Sequence, residues 1–138
     1  MSDNLKKIKS FIDKHHVLTL ATYDEEIISA CSLFYAYEPK SRVFVVASSD
    51  DTLHVKQIKN NNKIAGNILL ETKEVGKVEG LQFRGVFYEN EDKELSKLYF
   101  KTFPYALAMQ PKLWVIEVDF FKLTDNRFGF GKKVVLKL

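Results

Sequence analysis

The chain has 138 residues, a net charge of +3, 46% hydrophobic and 28% charged residues, a globular composition that excludes a disordered chain and is the size of one domain. Six Gly and three Pro exclude collagen-like and low-complexity classes, and a charge of +3 is too small by itself to argue for nucleic acid. Eleven Phe and six Tyr lean the chain toward β structure. In chain order, residues 4–14 predict an amphipathic helix: Leu5, Ile8, Phe11 and Ile12 recur at helical spacing among lysines, with Ser2 or Asp3 as cap. Val17–Thr22 predicts a strand, Tyr23–Glu26 a polar tip and Ile27–Tyr37 a long second strand, together a hairpin. Glu38-Pro39-Lys40-Ser41 is a turn. Arg42–Ala47 is a third strand whose nearly unbroken apolar run predicts burial on both faces. Ser48-Ser49-Asp50-Asp51-Thr52 then opens a helix over 52–60 that Asn60-Asn61-Asn62 stops. Lys63–Glu71 and Leu81–Glu89 predict strands four and five, around a tip at Lys73–Glu79; Gly85 marks a possible bulge. A helix follows over Glu91–Phe103, ended by Pro104. Leu113–Leu123 predicts a sixth strand with Trp114, Ile116, Val118 and Phe120 on one face. Thr124–Gly131 reads as a turn, and Lys132–Leu138 as a last strand. Six or seven strands, mostly joined as hairpins with short helices between them, predict a mainly β single domain, an antiparallel β-barrel with peripheral α-helices.

Cys31 is the single cysteine, so no intramolecular disulfide is possible, and one Cys with His15, His16 and His54 does not make a structural zinc set. The N-terminus lacks an apolar signal core and no apolar run reaches the ~18 residues of a membrane span, so a cytoplasmic location is expected. Residues 122–138 carry Lys122, Arg127, Lys132, Lys133 and Lys137 against Asp125, a tail that either meets an anion or is a solvated face.

The stretch from Ser48 to His54 carries the most chemistry. A helix N-terminus offers free N–H groups and partial positive charge, and Ser48, Thr52 and His54 add side-chain donors, a set that suits a phosphate. The same residues also make an elaborate N-cap without a ligand, which Asp50 and Asp51 favour unless they point away. Arg127-Phe128-Gly129-Phe130-Gly131-Lys132 mixes basic, glycine and aromatic residues as RNA-binding signatures do, but with the glycine out of phase; it reads as a hairpin turn or a ligand-contacting loop. Cys31 lies in an apolar strand and is expected in the core, and His15-His16 ends the first helix, where an imidazolium would favour the dipole. No hydrolase constellation stands out.

The order of Val17–Thr22, a hairpin, Arg42–Ser48, then Thr52, His54 and a helix ending in Asn60-Asn61 resembles the pyridoxamine 5′-phosphate oxidase-like FMN-binding split β-barrels. Leu81-Gln82-Phe83-Arg84-Gly85, Phe103-Pro104 and the tail from Leu123-Thr124-Asp125-Asn126 to Gly131-Lys132-Lys133 are similar to its uncharacterised YhbP-like branch. The resemblance implies a six-stranded antiparallel split barrel of Greek-key type, forming a homodimer with FMN in each groove between subunits. It implies that Ser48 and Thr52 hold the FMN phosphate with the N–H groups around Ser49, and that backbone at Ser32 and Leu33 lines the isoalloxazine ring. Gln82 and Asn126 become ring-edge or partner-side contacts. His54 stands where the family commonly has Lys or Arg, and Arg84, Lys132 or Lys133 of the partner chain would compensate. The implied function is a flavin-dependent oxidoreductase or flavin reductase using a nicotinamide donor. The alternatives are a flavin- or haem-binding module without turnover and, third, a nucleic-acid-binding barrel.

Overall fold

The computed structural model describes residues 2–128 and 132–138; Gly129, Phe130 and Gly131 of the expected tail loop lie outside the described residues. Among the described residues seven strands form one sheet: β1 (Val17–Tyr23), β2 (Ile28–Glu38), β3 (Val43–Ala47), β4 (Lys63–Leu70), β5 (Glu79–Glu89), β6 (Leu113–Asp125) and β7 (Lys133–Lys137). Their order is β3-β2-β1-β4-β5-β6-β7, all pairs are antiparallel, and β3 also pairs with β6. That last pairing closes a barrel from the first six strands, as expected, and leaves β7 added along β6. The β1–β4 and β3–β6 pairings join strands that are not consecutive, so closure is long-range and leaves no local signal in the chain.

The interior is aromatic and branched: Leu18 and Leu20 of β1, Phe44 and Val46 of β3, Phe83 and Phe87 of β5, and Trp114, Ile116 and Phe121 of β6 are all buried. Gly66 on β4 lets the Phe83 ring lie against the backbone, where any Cβ would overlap it. Val43 to Val46 are buried throughout, as the apolar run predicts. Phe44 and Val46 face the barrel, while Val45 joins Ala36, Leu113 and Tyr99 in a second cluster under α3 (Lys93–Thr102). Helix α1 (Asp3–Asp13) is capped by Ser2 and buries Ile8, Phe11 and Ile12 in the barrel core. Helix α2 (Leu53–Ile58) is capped by Thr52.

Two expectations are corrected. Phe120 does not continue the Trp114 face. The β5–β6 register shifts between Arg84 and Gly85, opposite Asp119, so Phe121 and Leu123 turn inward. Phe120 instead lies under the Arg84 guanidinium, 3.9 Å from its ring centroid. Gly85 sits at this bulge because a Cβ there would overlap the Glu117 carbonyl. The second concerns His15, which packs on Phe11 with ring centroids 4.5 Å apart. Burial, then the neighbouring His16 and Lys14 charges, lower its pKa, so this ring is disfavoured as the imidazolium expected at the helix end.

Candidate functional site

Strand β3 ends against the start of β6, and this fixes Ser48. Its N–H donates to the Lys112 carbonyl at 3.1 Å, and the buried Trp114 indole N–H donates to the Ser48 carbonyl at 2.8 Å. The chain then turns, with the Thr52 N–H donating to Ser49 O at 3.2 Å, and enters α2. The Thr52 hydroxyl donates to the Ser49 carbonyl (2.9 Å) and accepts from the Val55 N–H (3.4 Å), the geometry of an N-cap.

His54, on the first turn of α2, is half-buried and central to the cluster. Its Nε2 lies 2.7 Å from Ser48 Oγ and 3.4 Å from Thr52 Oγ1, and its Nδ1 lies 3.5 Å from Cys31 Sγ. Either tautomer satisfies both ends, because the hydroxyl and the thiol each donate or accept. Burial lowers the His54 pKa and raises that of Cys31. The pair at neutral pH is therefore a thiol beside a neutral imidazole, not a thiolate–imidazolium nucleophile. Cys31 is also less interior than its apolar strand suggests: it is half-buried, packed against the core rather than within it.

The two carboxylates of the turn are diverted from this cluster. Asp50 pairs with Lys112 Nζ (2.9 Å) and with Lys59 Nζ (3.6 Å), and the Lys112 hydrogen bond holds its pKa below the usual range. Asp51 accepts from the Ser49 hydroxyl at 2.7 Å, so that hydroxyl is already engaged. Behind the cluster, buried Gln57 locks α2 to the β1–β2 hairpin. Its Oε1 accepts from Thr22 Oγ1 (2.6 Å) and Ser29 Oγ (2.7 Å), and its Nε2 donates to the Ile27 carbonyl (2.8 Å). No periodicity in the sequence distinguishes Gln57 from a solvated helix residue.

The structure thus brings Ser48, Thr52 and His54 together. Ser32 and Leu33 follow directly on Cys31 in β2, Ser32 facing out and Leu33 half-buried. Pairings Ser32–Thr19, Thr19–Asn67 and Asn67–Gln82 set Ser32 and Gln82 in one row across the outer face of β2, β1, β4 and β5, about 15 Å apart at ordinary strand spacing. Among the described residues this outer face is largely open, Phe103 touching it at Phe34, and it is largely apolar or small: Val17, Tyr23, Ile28, Phe34 and Leu69 are exposed, around Ala21, Ala30 and Ala65. A depression of about 1040 Å³ opens along it, lined by Ala21, Tyr23, Ile28, Lys63 and Ala65 among others. Asn126 and Lys132 are not brought to the cluster within one protomer. Both lie at the far end of β6 from Ser48, where the Asn126 amide donates to Val75 O (2.9 Å) and Lys132 O accepts from Asp125 N (3.0 Å). No helix among the described residues is long and apolar enough to cross a membrane.

No protein-family model matches the chain. Curated relatives do: a UPF0306 protein of Enterobacter sp. (strain 638) is 35% identical over 135 residues, covering 96% of this chain and 95% of its own. A UPF0306 protein of Campylobacter jejuni is 34% identical over 130 residues, covering 94% of this chain and 95% of its own. The UPF0306 protein YhbP of Escherichia fergusonii is 30% identical over 136 residues, covering 96% and 92%. Among solved structures, a heme binding protein from Mycobacterium smegmatis superposes with a TM-score of 0.79 at 17% identity, covering 99% of this chain, which spans 59% of that longer protein. General stress protein 26 from Bacillus anthracis gives a TM-score of 0.72 at 19% identity, covering 97% and 98%. A general stress protein 26-related protein of Clostridium acetobutylicum, described as of the pyridoxinephosphate oxidase family, gives 0.71 at 14%, covering 99% and 97%. At these identities the structural likeness is one of fold.

Proposed function

The chain belongs to the UPF0306 family and has the split-barrel fold, and from these premises we propose that it binds FMN, with the phosphate at Ser48, Thr52 and His54 and a second copy of the chain closing the groove. One observation carries the reading. Two hydroxyls and an imidazole converge within 3.4 Å at the start of α2, beside Cys31, the residue that precedes Ser32 and Leu33 in β2. Their chemistry fits a phosphate monoester, since hydroxyl and imidazole N–H groups donate to its oxygens and Asp50 is already neutralised by lysines. The phosphate would replace the Ser48–His54 hydrogen bond with one to each residue. The largely open outer face of β2, β1, β4 and β5 supports pairing of two copies, because an apolar sheet face of this extent is ordinarily covered.

When bound, the isoalloxazine would supply two-electron oxidation and reduction, and the chain would contribute binding, orientation and exclusion of water. That makes an FMN-dependent oxidoreductase or flavin reductase the activity class proposed, with a nicotinamide donor. The heme binding protein of M. smegmatis, at a TM-score of 0.79, favours haem as the second reading. Purification of the full chain, absorbance spectroscopy and mass spectrometry of the extracted small molecule separate them. A flavin band, a released mass of FMN and bleaching by NADH or NADPH are expected. A Soret band on added hemin with no affinity for FMN would replace the first reading by the second.

A further inference from the structure

The outer face of β5, β6 and β7 carries a charge pattern that the proposed flavin site does not require. Strand pairing sets three rows across it: Arg84–Phe120–Lys137, Gln82–Lys122–Val135 and Gly80–Thr124–Lys133. These nine positions hold four cations, one aromatic ring and no carboxylate. The acids at the ends of the same strand segments, Glu79 and Asp125, alternate to the other face and are buried. Beyond the bulge the exposed Glu117 and Asp119 border the block, and Glu117 accepts from the Tyr88 hydroxyl at 3.4 Å. Among the described residues, Arg84, Lys122, Lys133 and Lys137 are in no ion pair.

Lysines on an edge strand are an ordinary device against unwanted pairing, and that accounts for Lys133 and Lys137 of β7. It does not account for Lys122 and Arg84, which stand on β6 and β5, strands paired on both sides. Lys122 is the diagonal neighbour of Arg84, Lys137 and Lys133 at once, about 7–8 Å from each, so four like charges repel at close range and nothing within the block offsets them. Arg84 is held in place as well as unpaired. Its guanidinium lies over the half-buried Phe120 ring, 3.9 Å from the centroid, and the arginine is exposed, so the side of the guanidinium away from the ring is open. A guanidinium plane backed by an aromatic ring is a platform on which a nucleobase stacks, and lysines one strand and one row away suit the phosphates that follow it.

From the acid-free block and the ring-backed arginine, we propose that the outer face of β5, β6 and β7 binds single-stranded nucleic acid, one base on the Arg84–Phe120 pair and the backbone phosphates along Lys137, Lys122 and Lys133. A duplex keeps its base faces inside its own stack and engages the lysines alone, and a simple anion leaves the stacking plane unused. Charge and plane together define the ligand class. The row that carries the stacking, Arg84–Phe120–Lys137, is the end of the β6–β7 pairing farthest from the turn. The inference stands beside the flavin reading and does not rest on it, since Ser48, Thr52 and His54 belong to none of these three strands.

The test is fluorescence anisotropy of a labelled single-stranded RNA dodecamer with the full chain over a salt series. Three or four phosphate contacts predict a slope of log affinity against log salt between about −2 and −3, and Lys122→Gln/Lys137→Gln is expected to flatten it by about 1.4. Arg84→Lys keeps the charge and removes the plane. It is expected to weaken the dodecamer about fivefold at an unchanged slope, and to bind an abasic strand of the same length as tightly as wild type does. Ser48→Ala/Thr52→Ala and saturating FMN are both expected to leave the dodecamer's affinity unchanged. No binding at low salt, a duplex held as tightly as the single strand, or an Arg84→Lys effect that is nil or equal on the abasic strand overturns the proposal. So does displacement of the RNA by FMN, which would assign this face to the flavin and leave that reading standing. Binding to phosphatidylserine vesicles without binding to the dodecamer overturns it in favour of a membrane surface.

Discussion

Replacing Gln57 by Leu tests whether the α2 corner is held as described. The side chain is 1% exposed and makes three hydrogen bonds, to Thr22, Ser29 and Ile27. Each is worth roughly 1 kcal/mol net, so about 3 kcal/mol is at stake before relaxation. Relaxation is partial and can be followed atom by atom. The Ile27 carbonyl keeps a donor, the Asp24 N–H at 3.1 Å, and the Thr22 and Ser29 hydroxyls, 3.0 Å apart, keep each other. One hydroxyl hydrogen is left without an acceptor, and Thr22 is only 2% exposed, so water does not replace it cheaply. The added leucine returns part of the loss through apolar burial. The expected cost is about 2–3 kcal/mol, a fall in Tm of order 10 °C for a domain of this length. Urea unfolding of wild type, Gln57→Leu, Thr22→Val and the double variant measures it. Because removing both partners leaves less stranded than removing one, the double variant is expected to be more stable than the sum of the singles predicts, by about 1 kcal/mol. A single variant within ~0.5 kcal/mol of wild type, or strict additivity in the cycle, refutes the account of this corner.

Ser48→Ala with Thr52→Ala is expected to weaken FMN by about 1–3 kcal/mol, as two hydrogen bonds to a charged group are lost, while riboflavin, without the phosphate, is unaffected; equal losses for both ligands in calorimetry would move the phosphate elsewhere. Gly85→Ala forces a Cβ into the Glu117 carbonyl at the bulge, and the expected destabilisation is about 2 kcal/mol or more by urea unfolding, with an unchanged midpoint counting against the register described for β5 and β6. His54 has a folded-state pKa lowered by burial, so the unfolded chain binds its proton more readily. Its contribution to stability is complete above the ordinary value of about 6.5 and is lost as pH falls from there through the lowered folded value. His54→Gln keeps polar partners for Ser48 and removes the titration, so stability curves of the two proteins are expected to diverge only below about pH 6.5, and parallel curves would place the ring in a more solvated setting.

Where local physics decides, the sequence was a sufficient guide. Leu5, Ile8, Phe11 and Ile12 recur at helical spacing, and all but the partly exposed Leu5 are buried on α1. The apolar run from Val43 to Val46 is buried on both faces because the barrel lies on one side and α3 on the other. Ser48, Thr52 and His54 were legible as a strand-to-helix corner because N-cap chemistry is read within a few residues. What stayed hidden depends on partners distant in the chain. The Cys31–His54 contact spans 23 positions, Asp50 finds Lys112 across 62, and Arg127 finds Glu79 across 48. Gly85 marked the bulge in the sequence, but that the extra residue is Asp119 of the facing strand stayed hidden for a related reason. Alternation along β6 alone put Phe120 inside, and only the close approach of Gly85 to Glu117 on the neighbouring strand reveals the slip.

The hydrogen bonding of the corner leads to a last expectation. Ser48, Thr52 and His54 already satisfy one another, so a phosphate arriving there exchanges hydrogen bonds rather than adding them, and the net gain at the head group is modest. A tightly held flavin then needs its ring covered, and within one protomer the outer row from Ser32 to Gln82 lies open. In the proposed dimer that cover comes from the second copy on the β2–β1–β4–β5 face. Ring burial and pairing are thereby linked, so each strengthens the other by the same factor. Introducing a charge at the centre of that face, Ala21→Glu opposite Ala30 and Ala65, is expected to yield a folded monomer that has lost FMN affinity although every phosphate-site residue remains. Sedimentation and flavin fluorescence measure both together. A monomer that still holds FMN as tightly as wild type would break the link and confine the flavin to contacts within a single barrel.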